Sequence, residues 1–227
     1  MNLAESCNAI NANLPRSPSF RYYLFDIDGT LVDSAEDICG AILDVLRETD
    51  RSDVPFDFLK SYIGRHLLDL FGDLFPTHTP EQIDAMIQHY RTLYPARGHT
   101  LTRLYPGVIE GLSRLSGKKA TATTKGTPTT RSVLEKFELL PYFDHVQGTD
   151  GFPCKPQPDV IFRALAGLGG RTEEALMVGD SPADMEAGRK AGVKICAVTY
   201  GYGKRDDLAR FEPDYWVSDL RELVNGS

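Results

Sequence analysis

Tyr22, Tyr23, Leu24, Phe25 and Ile27 make a short apolar run rich in β-formers, closed by Asp28-Gly29, and this predicts a buried strand followed by a tight loop. From Ala35 the spacing changes. Ile38, Ala41, Ile42, Val45 and Leu46 recur at three-and-four intervals, which predicts an amphipathic helix. Thr79-Pro80-Glu81-Gln82 offers a capping residue, a proline suited to the first turn and a glutamine that completes a capping box. The helix predicted from there carries Ile83, Met86, Ile87 and Tyr90 on its apolar face. Between the two helices, Phe56, Phe58, Leu59, Tyr62, Ile63, Leu67, Leu68, Leu70 and Phe71, interrupted by Gly64, predict one or two shorter ones.

After Tyr105-Pro106-Gly107 strand and helix patterns alternate. A helix is predicted over Val108 to Leu115, ending at Gly117, then a strand over Ala120 to Thr124. Further strands are expected near His145 to Gly148, Ala175 to Gly179, Ile195 to Thr199 and Tyr215 to Val217. Helical stripes separate them, at Val133, Leu134, Phe137 and Leu140, then at Val160, Ile161, Ala164, Leu165 and Leu168. The fold class expected is α/β, a Rossmann-like parallel sheet with right-handed crossovers and helices on both faces. Because the first strand is cut off from the others by helices, the helical block is an insertion, an all-helical cap over the sheet edge where that strand ends. The expected organisation is a polar tail over residues 1–19, a core from residues 20–36 and 105–227, and a cap over residues 37–104.

Composition narrows function more than fold. With 25 Lys and Arg against 32 Asp and Glu, the net charge of -7 argues against a general nucleic-acid surface, so a phosphate site must be built locally. Cys7, Cys39, Cys154 and Cys196 are scattered without a CxxC pair, and His66, His78, His89, His99 and His145 lack metal-ligand spacing. Reduced thiols in a cytoplasmic enzyme fit this better than disulfides or zinc. No apolar stretch approaches the roughly 20 residues of a membrane helix, and the first 19 residues lack the basic and apolar regions of a signal peptide. The expected partner is a small phosphorylated metabolite, with no nucleic acid and no membrane; monomer and homodimer both stay open.

In strand geometry Asp26 and Asp28 would project to the same side. Two carboxylates in one small space repel, so a cation or a retained proton is the expected remedy. Ligands of open α/β sheets bind at the carboxyl ends of the strands, and Thr124, Lys155, Asp180 and Asp184 all fall at that same predicted edge. Taken singly each has an ordinary reading: Asp28-Gly29 is a common turn, Lys155 a solvated lysine, and Ser181-Pro182-Ala183-Asp184 a capping box. Together they suggest Mg²⁺ held by acidic groups from two strands, with Lys155 offsetting the charge of a phosphate dianion. The Thr124 hydroxyl and the amides around Gly29-Thr30 are expected to donate to phosphate oxygens.

Asp26-Ile-Asp28-Gly-Thr-Leu-Val-Asp-Ser, the strand-end Thr124, Lys155-Pro and Gly179-Asp180-Ser-Pro-Ala-Asp184 resemble the four motifs of the haloacid dehalogenase superfamily, across about Tyr22 to Leu223. The helical insertion, Tyr105-Pro106-Gly107 and Tyr200-Gly-Tyr-Gly203 are most similar to its phosphoglycolate phosphatase group. The resemblance implies that Asp26 is a nucleophile forming an aspartyl-phosphate and Asp28 the general acid and base. It further implies Mg²⁺ on Asp26, the Asp28 backbone carbonyl and Asp180, phosphoryl oxygens held by Thr124 and Lys155, and Asp184 orienting groups around them. An acid at Asp28 distinguishes phosphate transfer from the dehalogenase and phosphonatase branches. Lys125 stands where the family commonly has asparagine, and either adds positive charge near the substrate or points away. Lys60, Arg65 and His66 flank Gly64 in the insertion and are the candidates for substrate choice. The expected activity is Mg²⁺-dependent hydrolysis of a small phosphomonoester, nominally phosphoglycolate. A sugar-phosphate mutase of the β-phosphoglucomutase type, a pyrophosphatase or nucleotidase, and a non-enzymatic phosphometabolite-binding module are the alternatives.

Overall fold

The structure, a computed structural model, describes residues 19–224, so the tail expected over residues 1–19 lies outside the described residues except for Ser19, as does Cys7. Along the chain, β1 (Tyr22–Phe25) and the short β2 (Val32–Asp33) precede four helices, α1 (Ala35–Leu46), α2 (Phe56–Lys60), α3 (Leu67–Leu74) and α4 (Pro80–Ala96). After β3 (Arg103–Leu104) come α5 (Val108–Arg114), β4 (Lys118–Thr121), α6 (Thr127–Lys136), α7 (Asp159–Leu168), β5 (Ala175–Gly179) and α8 (Pro182–Ala191). The chain then adds β6 (Lys194–Val198), α9 (Arg205–Ala209) and β7 (Tyr215–Val217). Among the described residues no helix is long and apolar enough to cross a membrane.

The sheet is parallel, in the order β4-β1-β5-β6-β7. Strand β1 lies between β4 and β5, with Phe25 opposite Thr121 on one side and Val178 on the other. Its residues alternate between two apolar cores, which is why it reads as a continuous apolar run rather than an amphipathic one. Tyr23, Phe25 and Ile27 pack with Val108, Leu112 and Val133 from α5 and α6. Tyr22 and Leu24 face the other way, onto Ile161 and Leu165 of α7 and Met185 of α8. Helices therefore cover both faces, as expected.

Two expectations need correction. No strand forms over His145 to Gly148: His145 makes an isolated bridge with Ala120, and the Thr121 hydroxyl then donates to the Gln147 carbonyl at 2.9 Å and accepts the Gln147 amide at 2.7 Å. A side chain thus occupies the place of a backbone rung. Strand β4 also begins and ends earlier than the Ala120 to Thr124 expected. Lys119 is tolerated in it because its ammonium donates to the Leu115 and Gly117 carbonyls, at 2.7 and 2.9 Å.

Helices α1 to α4 share a separate apolar cluster that includes Ile38, Ile42, Leu46, Leu59, Phe71, Ile83 and Ile87. The capping box expected at Thr79 and Gln82 starts α4. The chain leaves the core through β2 and returns through β3, which pair antiparallel with Val32 opposite Leu104. Asp37 secures this joint. Its buried Oδ2 accepts the Leu101 amide at 3.0 Å, the Thr102 amide at 2.8 Å and the Thr102 hydroxyl at 2.7 Å. Arg97, 3.6 Å from the other oxygen, also pairs with Asp44 at 2.8 Å. Replacing Asp37 with Ala strands three donors and removes one of the two carboxylates beside the partly exposed Arg97, so a loss of roughly 3 kcal/mol is expected in urea unfolding. A loss under about 1 kcal/mol would show that the joint does not depend on this carboxylate.

Candidate active site

The site begins where β1 ends. The Asp26 amide still donates to the Val178 carbonyl at 3.0 Å, which holds this residue at the carboxyl edge of the sheet. The Ile27 carbonyl then accepts the Leu31 amide at 2.9 Å and the Val32 amide at 3.1 Å, so the chain doubles back. Gly29 supplies the left-handed backbone this turn needs, with φ of 88°. A Cβ there would also run into the Asp180 carboxylate. Strand alternation stops before Asp28, and the two aspartates enter different surroundings.

Asp26 is buried, and its Oδ1 accepts the Lys155 ammonium at 2.9 Å. The same ammonium donates to the Ala122 carbonyl at 2.9 Å and pairs with Asp184 Oδ1. Asp180, at the end of β5, accepts the Thr30 hydroxyl at 3.1 Å and the Tyr202 amide at 2.8 Å. Asp184 Oδ2 accepts the Ser181 amide at 2.9 Å and hydroxyl at 2.7 Å, completing the capping box of α8. One oxygen of the Asp184 carboxylate thus serves the cap, as the ordinary reading of Ser181 to Asp184 expects, and the other is free to pair with Lys155.

Asp26, Asp180 and Asp184 each bring an oxygen within 4.8 Å of the others, all buried, against the single ammonium of Lys155. Burial raises Asp26 to about 6 against the pull of Lys155, with Asp184 and Asp28 adding to the rise. Asp180 is pushed well above the ordinary carboxylate range by burial and by Asp184 and Asp26. Burial works against the charged form of Lys155, but Asp184 and Asp26 outweigh it and hold the ammonium above the usual lysine value. An all-oxygen donor set that is buried and short of positive charge fits a hard divalent cation.

Asp28 lies apart from that cluster. Its Oδ1 accepts the Ser34 hydroxyl at 2.6 Å, and its Oδ2 pairs with Lys125 at 3.1 Å. Lys125 also donates to the Tyr94 hydroxyl of α4 at 3.0 Å, with its ammonium 4.2 Å from the ring centroid. Of the two orientations open to Lys125, the structure takes the inward one; its side chain is 8% exposed. Thr124 lines the adjoining cavity, while its neighbour Thr123 is fully buried and accepts the Lys125 amide at 3.3 Å. The amides expected to face a phosphate are already committed: Gly29 donates to the Val32 carbonyl at 2.8 Å and Thr30 to that of Ile27 at 3.3 Å.

The helical block reaches this edge through the loop at Gly64, whose φ of 91° and missing side chain allow it to touch Ser181. Lys60 lies 5.3 Å from the Tyr202 ring centroid, and Arg65 lies 5.0 Å from that of Tyr62. His66 caps α3 by accepting the Leu68 amide at 3.1 Å, and burial lowers its pKa. Sequence reasoning missed Ser34, Tyr94 and Tyr202 as members of the site. The Tyr202 hydroxyl accepts the Ser34 amide at 2.7 Å and donates to Asp33 at 2.9 Å, so it sits on the joint between core and helices. The motif ending in Ser34 and the run Tyr200 to Gly203 were signals for two of them; Tyr94 carried none beyond its place in an amphipathic helix.

A parallel sheet with a charged cluster at its carboxyl edge defines an α/β enzyme scaffold. Residues 23–198 match the model of the haloacid dehalogenase-like hydrolases, and the chain belongs to that family. It is 33% identical over 210 residues to a phosphoglycolate phosphatase from Nitrosospira multiformis, spanning 88% of this chain and 92% of that protein. A pyrophosphatase from Anoxybacillus flavithermus is 32% identical over 206 residues, spanning 89% of this chain and 94% of that protein. A solved haloacid dehalogenase-like hydrolase from Streptococcus pneumoniae superimposes with a TM-score of 0.82 at 30% identity, covering 90% of this chain and 96% of that one.

The charge balance of the cluster makes a measurable statement about cations and pH. In the cation-free protein the folded value of Asp26, about 6, lies above the ordinary carboxylate value. Its contribution to stability is therefore fullest below that ordinary value and is lost as pH rises through about 6. Added Mg²⁺ should raise Tm in mildly alkaline buffer, and the rise should shrink as pH falls through about 6. Calorimetry with Mg²⁺ and with EDTA checks this; an equal Mg²⁺ shift at every pH would count against the carboxylates as ligands.

Proposed function

We propose that the protein is a Mg²⁺-dependent phosphatase that hydrolyses a small phosphomonoester through an aspartyl-phosphate on Asp26. The observation that carries this reading is the separation of the two aspartates: Lys155 holds one oxygen of Asp26, while Ser34 and Lys125 hold Asp28. Asp26, the Asp28 backbone carbonyl and Asp180 would hold Mg²⁺, which would supply the positive charge that a phosphate dianion needs to approach these carboxylates.

With Oδ1 taken by Lys155, Asp26 presents Oδ2 to the phosphorus. A bond forms from Oδ2 to phosphorus, and the bond from phosphorus to the leaving oxygen breaks as Asp28 gives that oxygen its proton. Asp28, then a carboxylate beside Lys125, takes a proton from water. That water oxygen bonds to phosphorus, the bond to Asp26 breaks, and inorganic phosphate leaves with Asp26 restored. Asp184 keeps Lys155 in place, and Thr124 and Lys125 form the wall that the substrate meets. Residues 37–104 act as a cap in this reading, with Lys60, Arg65 and His66 meeting the leaving group. Phosphoglycolate is the nominal substrate, from the name of the Nitrosospira relative.

Asp26→Asn is expected to abolish Mg²⁺-dependent phosphate release. Asp28→Asn should lower kcat by roughly 10²- to 10⁴-fold, the range of a lost general acid. A phosphate-release screen over phosphoglycolate, pyrophosphate and nucleotides, with Mg²⁺ and with EDTA, provides the measurement. Near wild-type turnover by Asp26→Asn would remove the nucleophile from this residue, and a preference for pyrophosphate would favour the activity named for the Anoxybacillus relative.

A further inference from the structure

Between the helical block and the core lies a cavity of about 420 Å³, floored by Asp28, Thr124 and Lys125. Its size falls within the range of pockets that enclose ring-containing ligands. A leaving group as small as glycolate would fill only a fraction of it. The walls come from α1 to α4, where Ile38, Ile42, Leu59, Leu70, Ile87 and Tyr90 are all buried. Side chains of this kind close on one another when nothing else occupies the space between them. Here they stop short, directly over the carboxylate assigned as acid and base.

Two cations interrupt the apolar lining, Arg65 and Arg91. The other charges there have partners, Lys125 with Asp28 at 3.1 Å and Asp150 with the Thr127 amide at 3.0 Å. Among the described residues neither arginine forms an ion pair with a carboxylate. Arg65 lies 5.0 Å from the Tyr62 ring centroid, a contact that takes up none of its N–H donors in an ion pair.

We propose that this cavity holds the leaving group, and that the preferred substrate is a phosphomonoester of an alcohol with a ring-sized apolar body and a second acidic group. The inference rests on the phosphatase reading above. The ring lies against α1 and α4, and the second acid meets Arg65 and Arg91. Phosphoglycolate has the acid without the body.

Three probes separate these features: phosphoglycolate carries the acid alone, phenyl phosphate the ring alone, and 4-carboxyphenyl phosphate both. The specificity constant kcat/KM for 4-carboxyphenyl phosphate should exceed that for phosphoglycolate by at least roughly tenfold, the scale on which a fitting pocket rewards added apolar bulk. Ile87→Trp fills the space and should bring that ratio toward unity; Ile42→Phe serves if the first variant does not fold. Arg91→Gln should lower the ratio of 4-carboxyphenyl to phenyl phosphate by roughly threefold to fivefold. Equal constants for all three, or a preference for phosphoglycolate in the wild type, would overturn the assignment. Phosphate release from none of them would count against the phosphatase reading instead. Calorimetry of 4-carboxyphenyl phosphate with the unmodified protein then decides the cavity: binding weakened by Arg91→Gln supports it, and no binding ends it.

Discussion

The ammonium of Lys155 is the contact on which the site is assembled. A lysine that is 2% exposed is costly to bury, and here the cost is offset by Asp26, Asp184 and the Ala122 carbonyl. These acceptors come from the end of β1, the end of β4 and the first turn of α8. One positive charge thus binds three separate pieces of chain, and their mutual placement sets where the Asp26 carboxylate points. It also leaves a deficit, because a single cation cannot balance the carboxylates gathered around it. The same contact that orders the site thus also sets its unbalanced charge.

Asp28 depends on a different set of neighbours, and those neighbours belong to both halves of the molecule. Lys125 from the core reaches Tyr94 of α4, while Ser34 at the start of α1 is held by Tyr202. The position of Asp28 is therefore tied to the seating of the helices on the sheet. Tyr202 extends the connection, since its amide holds Asp180 and its hydroxyl holds Asp33 and Ser34. In the proposed reaction this links the proton-transfer group to closure of the block, a familiar means of excluding water from an activated phosphate.

Much of this was legible in the chain itself. Apolar runs at β1, β5 and β6 lie between two covered faces, and capping boxes at Thr79 and Ser181 start helices as their residue types demand. Part of what failed was non-local. The strand expected at His145 was lost to a hydroxyl of Thr121, and nothing in a local pattern announces that exchange. Lys125 could not be oriented because its partner Tyr94 is 31 residues away and is delivered by helix packing. The Gly29 amide was assigned to a ligand when turn closure had the prior claim on it. Asp184 was read as a cap or as a site residue; one of its oxygens caps α8 and the other pairs with Lys155.

The pairing of β2 with β3 has a consequence beyond this molecule. Because Val32 lies opposite Leu104, the helical excursion leaves and re-enters the core at neighbouring points, and it carries an apolar cluster of its own. Its two ends thus lie side by side, the geometry in which an inserted stretch of chain is tolerated. The block is in effect a cassette: one scaffold of phosphate chemistry can be fitted with a different enclosure by exchanging a single continuous stretch of chain, with the strands and their charged edge left as they are.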